Sequence, residues 1–431
     1  MSSAKRGKTA LVLAGGGLTG GVYEVGALRA IDDLLVDRTV NDFDIYVGTS
    51  AGALVTSLLA NGVSPEDMLQ VFRGDHPTIR NMENRDILTL SGSDMLRWAR
   101  GLPSGLLDIA QNYLHAPESL NIFELMWSLS ALVPAGLYDG RSLETYVREA
   151  LTSVGRSDDF ADLQRELYIV ATDLNSGERV VFSKDENFDV PISLAVAAST
   201  CLPPIYEPVA IGNKVYVDGG LRGTASLDIA REHGADLIVC INPLVPYNNG
   251  AWRDKPFFSP DGGYLTKKGM QGILSQSSRI STHAGLHYQV KQIRKHHPDI
   301  DVIVIEPRPD DCQMFYYNIM RHSVLLMLAE HGFESVTLHL AEDYPNYKQI
   351  LARHGIPLSR RIVVDELREI QESGYDPEVI RLVLEKRSSS CNRIRGDCIC
   401  ELSRVLAELE MTLDSMTAAA TAGTVATVAT G

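Results

Sequence analysis

The sequence contains no apolar run of the roughly 18–20 residues that a membrane-spanning helix needs, so it reads as a cytoplasmic protein, soluble or peripheral at a bilayer. Cysteine is scarce, with six in 431 residues, too few for a disulfide framework. They are Cys201, Cys240, Cys312, Cys391, Cys398 and Cys400. The last three make C-x6-C-x-C, which matches no zinc-ligand spacing, and reduced thiols are the simplest account of all six. Positive charge is in deficit as well: 40 Lys plus Arg face 55 Asp plus Glu, a formal net charge of −15. Contacts to phosphate backbones need a basic face, so nucleic acid is not expected as a partner. The same deficit argues against a purely electrostatic hold on anionic membranes and leaves a local apolar contact open. The N-terminus starts basic, but its apolar run over residues 9–14 is too short for a signal peptide and runs straight into glycines.

Apolar residues make up 45% of the chain, enough for a sizeable core in one large α/β domain plus an extension, or in two domains. Strands are predicted at residues 10–14, 45–47, 167–172, 180–182, 215–217, 237–241 and 302–305. Several are apolar throughout, as expected for strands covered on both faces. Helices are predicted between them at 22–35, 51–60, 143–151, 192–199 and 225–232. This alternation implies an α/β fold, a mostly parallel central sheet between two helical layers. Beyond residue 307 the strand signal fades, and 314–331 and 363–371 read as helices. Ile399, Leu402, Val405, Leu406, Leu409 and Leu413 form one apolar helical stripe before a low-complexity end. The expected layout is a flexible 1–8, an α/β domain over 9–310, a helical extension over 311–415 and a disordered tail over 416–431.

Three motifs carry chemistry. Gly48-Thr49-Ser50-Ala51-Gly52 is a G-x-S-x-G placed between a strand and a helix, the context of a nucleophile elbow. Glycines two before and two after the serine leave room where a Cβ would collide. Gly15-Gly16-Gly17-Leu18-Thr19-Gly20 follows the first strand and has two functional readings. It fits the dinucleotide fingerprint, whose glycines admit a pyrophosphate to a helix N-terminus. It also fits an oxyanion hole, where bare backbone N–H groups face developing charge. The fingerprint expects an acidic residue at the end of the second strand. Here that strand delivers Gly48-Thr49-Ser50 instead, which favours acyl transfer. Asp218-Gly219-Gly220 follows the strand at 215–217, on the edge where open α/β sheets place their sites. Alone it reads as a turn; together with Ser50 it gains weight.

In this order the three motifs resemble the patatin-like phospholipases: a glycine-rich oxyanion loop, G-x-S-x-G, then Asp-Gly-Gly or Asp-Gly-Ala. Two further stretches look like that family: Gly21-Val22-Tyr23-Glu24-Val25-Gly26-Ala27-Leu28-Arg29-Ala30, and Ala197-Ala198-Ser199-Thr200-Cys201-Leu202-Pro203-Pro204. The resemblance spans residues 9–242 and departs from the family at two points. Thr19 stands where the family often has Lys or Arg, and Thr224-Ala225-Ser226 where it often has Asn-x-Pro.

The resemblance implies a patatin-like fold and a Ser50–Asp218 dyad in which Asp218 takes the serine proton directly. It implies oxyanion donors among Gly15, Gly16, Gly17 and Ala51, with Gly20, Gly48, Gly52, Gly219 and Gly220 as motif glycines. The implied activity is hydrolysis of a lipid acyl ester, with a phospholipid or another acyl ester as partner and no metal or organic cofactor. Transient contact with a membrane surface and self-association stay open. Acyl transfer to an alcohol through the same acyl-enzyme is the alternative. A non-catalytic nucleotide- or lipid-binding protein is the reading of another class. A histidine-based triad would need one of the eleven histidines, among them His233, His283, His287 and His322, and none follows an obvious strand end. The apolar segment 101–137 reads either as a cap over an acyl pocket or as ordinary core helix.

Overall fold

Short β-branched runs build the sheet, and the longer patterns between them cover it. The computed structural model describes residues 7–87, 135–153, 155–187, 189–223, 225–248, 269–309 and 322–386, with Thr89 and Leu265. The strands are β1 (Lys8–Leu13), β2 (Ile45–Thr49), β3 (Glu166–Asp173), β4 (Arg179–Phe182), β5 (Val209–Ile211), β6 (Lys214–Asp218), β7 (Ala235–Ile241) and β8 (Asp301–Ile305). They form one sheet in the order β5-β6-β3-β2-β1-β7-β8, with β4 also on β3. β1 is parallel to β2 and β7, β2 to β3, and β7 to β8. β4, β5 and β6 pair antiparallel at one side.

The helices are α1 (Gly17–Leu34), α2 (Ala51–Ala60), α3 (Pro65–Arg73), α4 (Asn84–Ile87), α5 (Arg141–Leu151), α6 (Ile192–Thr200), α7 (Leu227–Glu232), α8 (Gly269–His296), α9 (His322–Glu342), α10 (Tyr344–Arg353), α11 (Arg361–Glu372) and α12 (Pro377–Glu385). Side chains alternate across the sheet. Leu11, Leu13, Val239 and Ile241 enter one core with α1 and α2. Ala10, Val12, Ile238 and Cys240 enter a second core with Leu227 of α7 and Leu286, Val290 and Ile293 of α8. The fold is therefore three-layered, a mostly parallel sheet between helices.

The C-terminal helices join the first of these cores. Phe333 and Val336 of α9, Ile370 of α11 and Leu384 of α12 are buried in the same cluster as Leu28 of α1. Buried Arg29 of α1 also reaches Glu366 of α11 and the Val383 and Leu384 carbonyls of α12.

Several elements differ from the sequence-based expectation. α1 begins at Gly17 rather than Val22, because its first turns are glycine-rich and glycine's low helix propensity hides them. β5 is a three-residue strand that turns at Gly212 (φ +61) into β6. α3 carries no helix prediction although Ser64 caps it, with Pro65 in the first turn and Asp67 closing a capping box. α9 runs on to Glu342, eleven residues past the predicted end at 331. The predicted apolar cap before residue 135, the predicted helix over 314–321, the stripe from Ile399 to Leu413 and the tail lie outside the described residues. Among the described residues no helix is long and apolar enough to cross a membrane.

Candidate active site

The sheet brings two strand ends together. β4 takes one edge of β3 across residues 169–172. On the other edge β2 ends with Thr49 opposite Val170. β6 takes over that same edge one residue later, with Asp218 opposite Ala171. β2 is parallel to β3 and β6 is antiparallel, so both arrive with their carboxyl ends. Ser50 and Asp218, 168 positions apart, meet there, and Ser50 Oγ donates a 2.7 Å hydrogen bond to Asp218 Oδ2.

Ser50 sits at a sharp turn, with φ 56 and ψ −126, at the N-cap of α2. A non-glycine residue in this region costs on the order of 1–3 kcal/mol and persists only where packing enforces it. The flanking glycines make the turn fit: a Cβ at Gly48 would strike Thr56 and Ala53, and one at Gly52 would strike the Leu13 carbonyl. Ser199 of α6 braces the turn from below. Its hydroxyl accepts from the Ser50 amide at 2.9 Å and donates to the Val170 carbonyl at 2.6 Å. Ser199 lay inside the stretch that resembles the family, yet no sequence signal gave it this role.

Asp218 is buried. Its amide donates to the Cys201 carbonyl at 3.1 Å, and its Oδ1 accepts from the Gly220 amide at 2.7 Å. Burial raises its pKa to about 6, against the lowering effect of the Ser50 and Gly220 hydrogen bonds. A carboxylate with that proton affinity is ionised at neutral pH and a better proton acceptor than a solvated aspartate. Gly219 follows because a Cβ there would strike the Val170 carbonyl.

The glycine loop lies against this pair. A Cβ at Gly15 would stand 3.0 Å from Ser50 Cβ and 3.7 Å from Ser50 Oγ. Gly16 and Gly20 pack on Pro243, and Gly17 opens α1 with φ +61. The amides of the first turn of a helix have no partner within it, and Ala51 likewise occupies the first turn of α2. Two helix N-termini with their positive dipole ends thus flank the serine. Thr19 Oγ1 lies 3.5 Å from the Gly16 carbonyl. Three of the candidate histidines, His233, His283 and His287, are engaged elsewhere. His233 pairs with the Tyr168 hydroxyl at 2.8 Å, and His287 reaches Glu306 at 3.0 Å and His283 the same oxygen at 3.5 Å. A hydroxyl bonded to a buried carboxylate, with glycine amides beside it, is equipped for nucleophilic attack on an ester.

The sequence profile of the patatin-like phospholipases matches residues 11–231, just over half of the chain. The chain belongs to the patatin-like phospholipase family. It is 26% identical over 226 residues to the uncharacterized protein YqhO of Bacillus subtilis, covering 49% of this chain and 62% of that one. It is 23% identical over 222 residues to the probable lipid hydrolase 463L of Invertebrate iridescent virus 6, covering 51% of this chain and 62% of the relative. The chain thus spans about three fifths of the length of the curated relatives it matches. Among solved structures, VipD from Legionella pneumophila aligns over 95% of this chain and 88% of its own, at 14% identity and a TM-score of 0.32. ExoU of Pseudomonas aeruginosa, solved with SpcU, aligns over 93% of this chain and 71% of its own, at 14% identity and a TM-score of 0.24.

Proposed function

We propose that this protein is a lipid acyl hydrolase that cleaves fatty acyl esters with a Ser50–Asp218 dyad. The observation that carries the proposal is the 2.7 Å hydrogen bond from a serine in a strained turn to a buried carboxylate. Ser50 Oγ attacks the acyl carbonyl while Asp218 Oδ2 takes its proton. The carbonyl oxygen gains negative charge and is held by amides from Gly15, Gly16, Gly17 and Ala51. The intermediate collapses as Asp218 returns the proton to the leaving alcohol. Water, deprotonated by Asp218, then attacks the acyl-enzyme, and the fatty acid leaves as Asp218 returns the proton to Ser50 Oγ. The dyad needs no third residue to fix an imidazole tautomer, because the carboxylate is held by the Gly220 amide.

A lipid substrate also suits the surface around the site. Leu202 and Ile205, on the loop after α6, and Leu221, three residues past Asp218, are exposed large apolar side chains. They are suited to touch acyl chains or a bilayer surface. An overall charge of −15 argues against a purely electrostatic hold on an anionic bilayer.

Incubating wild type and Ser50→Ala with a panel of phospholipids and neutral lipids tests this reading, with products followed by mass spectrometry. Wild type should release fatty acid and Ser50→Ala should not. A fluorophosphonate should label Ser50 and no other serine. Acylated alcohol in place of free acid would identify a transferase using the same dyad. Labelling at another serine, or none on the folded protein, would overturn the assignment and favour a binding protein.

A further inference from the structure

Helix α8 is docked to the sheet through a polar stripe as well as its apolar one. Gln276 clasps Tyr247, accepting from its amide at 3.0 Å and donating to its carbonyl at 2.9 Å. Arg279 donates to the Val245 carbonyl at 3.1 Å. His283 and His287 continue the same face at spacings of four, so their imidazoles stand one above the other, with ring centroids 4.2 Å apart. Both point at Glu306, the first residue past β8. His287 Nε2 is 3.0 Å and His283 Nε2 3.5 Å from the same oxygen, Glu306 Oε2.

The three side chains offer one ligand atom each, all within 4.8 Å of one another. Zinc bonds of about 2.0–2.1 Å in a tetrahedron place neighbouring ligand atoms about 3.3 Å apart, and the two His–Glu separations bracket that value. The support a metal site requires is also present. Asn242 is buried, and its Nδ2 donates to Glu306 Oε1 at 2.7 Å, which leaves Oε2 turned toward the imidazoles. Its amide is fixed by the Ile305 carbonyl at 2.9 Å. Such outer hydrogen bonds orient the liganding atoms of metal sites. The half-exposed position of His287 leaves a fourth place to solvent.

We propose that His283, His287 and Glu306 form a binding site for a transition-metal dication of the zinc class. Two imidazoles and one carboxylate suit zinc and its neighbours, whereas magnesium and calcium prefer an all-oxygen shell. The site is structural in role. β8 lies three strands from β2, about 14 Å at the usual strand spacing, too far for the ion to polarise an ester held at Ser50. It would instead fasten α8 to the strand end and, through Asn242, hold the turn whose Pro243 packs on Gly16 and Gly20.

The test uses the full chain, stripped of metal with a chelator and titrated with Zn2+ against a chromophoric competitor. One equivalent should bind per chain, and His283→Ala and His287→Ala should each abolish it. Asn242→Ala should weaken binding about 10–100-fold. Replacing Cys391, Cys398 and Cys400 together by serine should leave the equivalent in place. Co2+ loaded into the wild-type protein gives a readout independent of any variant: nitrogen and oxygen ligands should produce no thiolate charge-transfer band. No binding by wild type, binding that survives in the His283→Ala/His287→Ala protein, loss in the cysteine variant, or a thiolate band would each overturn the proposal. The first of these would leave a plain His–Glu–His hydrogen-bonded cluster.

Discussion

Asp218 and the carboxylates around Arg29 are both taken out of water, and burial raises Asp218, Glu66 and Glu366 alike, but their partners differ. Arg29 of α1 is fully buried. Its guanidinium pairs with Asp33, lies 3.3 Å from both Glu66 of α3 and Glu366 of α11, and donates to the carbonyls of Val383, Leu384 and Lys386 at the end of α12. Burial works against its charge, but Asp33, Glu366 and Glu66 outweigh that, and its pKa is raised. Among the described residues, Asp218 has no cation in its hydrogen-bonding shell, only a hydroxyl and an amide. One cluster spends its charges on joining four helices. The other leaves a carboxylate short of stabilisation and therefore basic. Burial raises the proton affinity of the acid in both places, Glu66 and Glu366 beside Arg29 included, so what distinguishes Asp218 is its neighbour: a serine hydroxyl in a strained turn rather than a guanidinium.

Removing the cation should have the largest effect on stability. Arg29→Ala takes the buried guanidinium away from Asp33, Glu66 and Glu366, which should cost about 3–5 kcal/mol. Urea unfolding of the variant should show it, and an unchanged midpoint would mean the cluster does not hold the C-terminal helices.

Asp218 should respond in the other direction. Its pKa in the folded chain is about 6, while an unfolded aspartate titrates at about 3.9. The folded state therefore binds the proton more tightly, a stabilisation fully present below pH of about 4 that is lost as pH rises through about 6. Asparagine has no proton to lose. Asp218→Asn should match wild type in acid and exceed it by on the order of 3 kcal/mol at neutral pH. Melting curves across that range would show the crossover. A variant that is less stable at every pH would contradict the raised pKa.

Ser199→Ala should have a smaller effect. It strips the Ser50 amide of its buried acceptor, a loss of about 1–3 kcal/mol, and loosens the turn. Thermal unfolding and kcat together check it. Ser199→Thr keeps the hydroxyl and should recover most of both.

Much of this was legible in the sequence, for definite reasons. A buried parallel sheet demands apolar runs, and seven of the eight strands among the described residues are readable from them; β5, three residues at an edge, offers too little. Ser50, Asp218 and the glycine loop announced themselves because each needs glycines at fixed offsets. What brings them together was not readable. The shared edge of β3 depends on the register of three strands, and Ser199 is an ordinary helical serine until α6 is packed beneath the turn. The spacing of His283 and His287 was visible, but Glu306 becomes their neighbour only when β8 and α8 are placed. Similarly, an arginine inside α1 reads as surface until helices 300 residues later close over it.

The dyad is tested most directly by a double-mutant cycle on lipid ester hydrolysis. Rates would be compared for wild type, Ser50→Ala, Asp218→Asn and the double variant, with folding verified for each. A general base contributes about 100- to 10,000-fold, so Asp218→Asn should lose at least that much. Members of one catalytic unit are not additive, so the double variant should be little worse than either single one. The wild-type kcat/KM should rise with pH through about 6 as Asp218 loses its proton. If Asp218→Asn retains most turnover while His233→Ala or another histidine variant abolishes it, the base is a histidine and the account of this site is wrong.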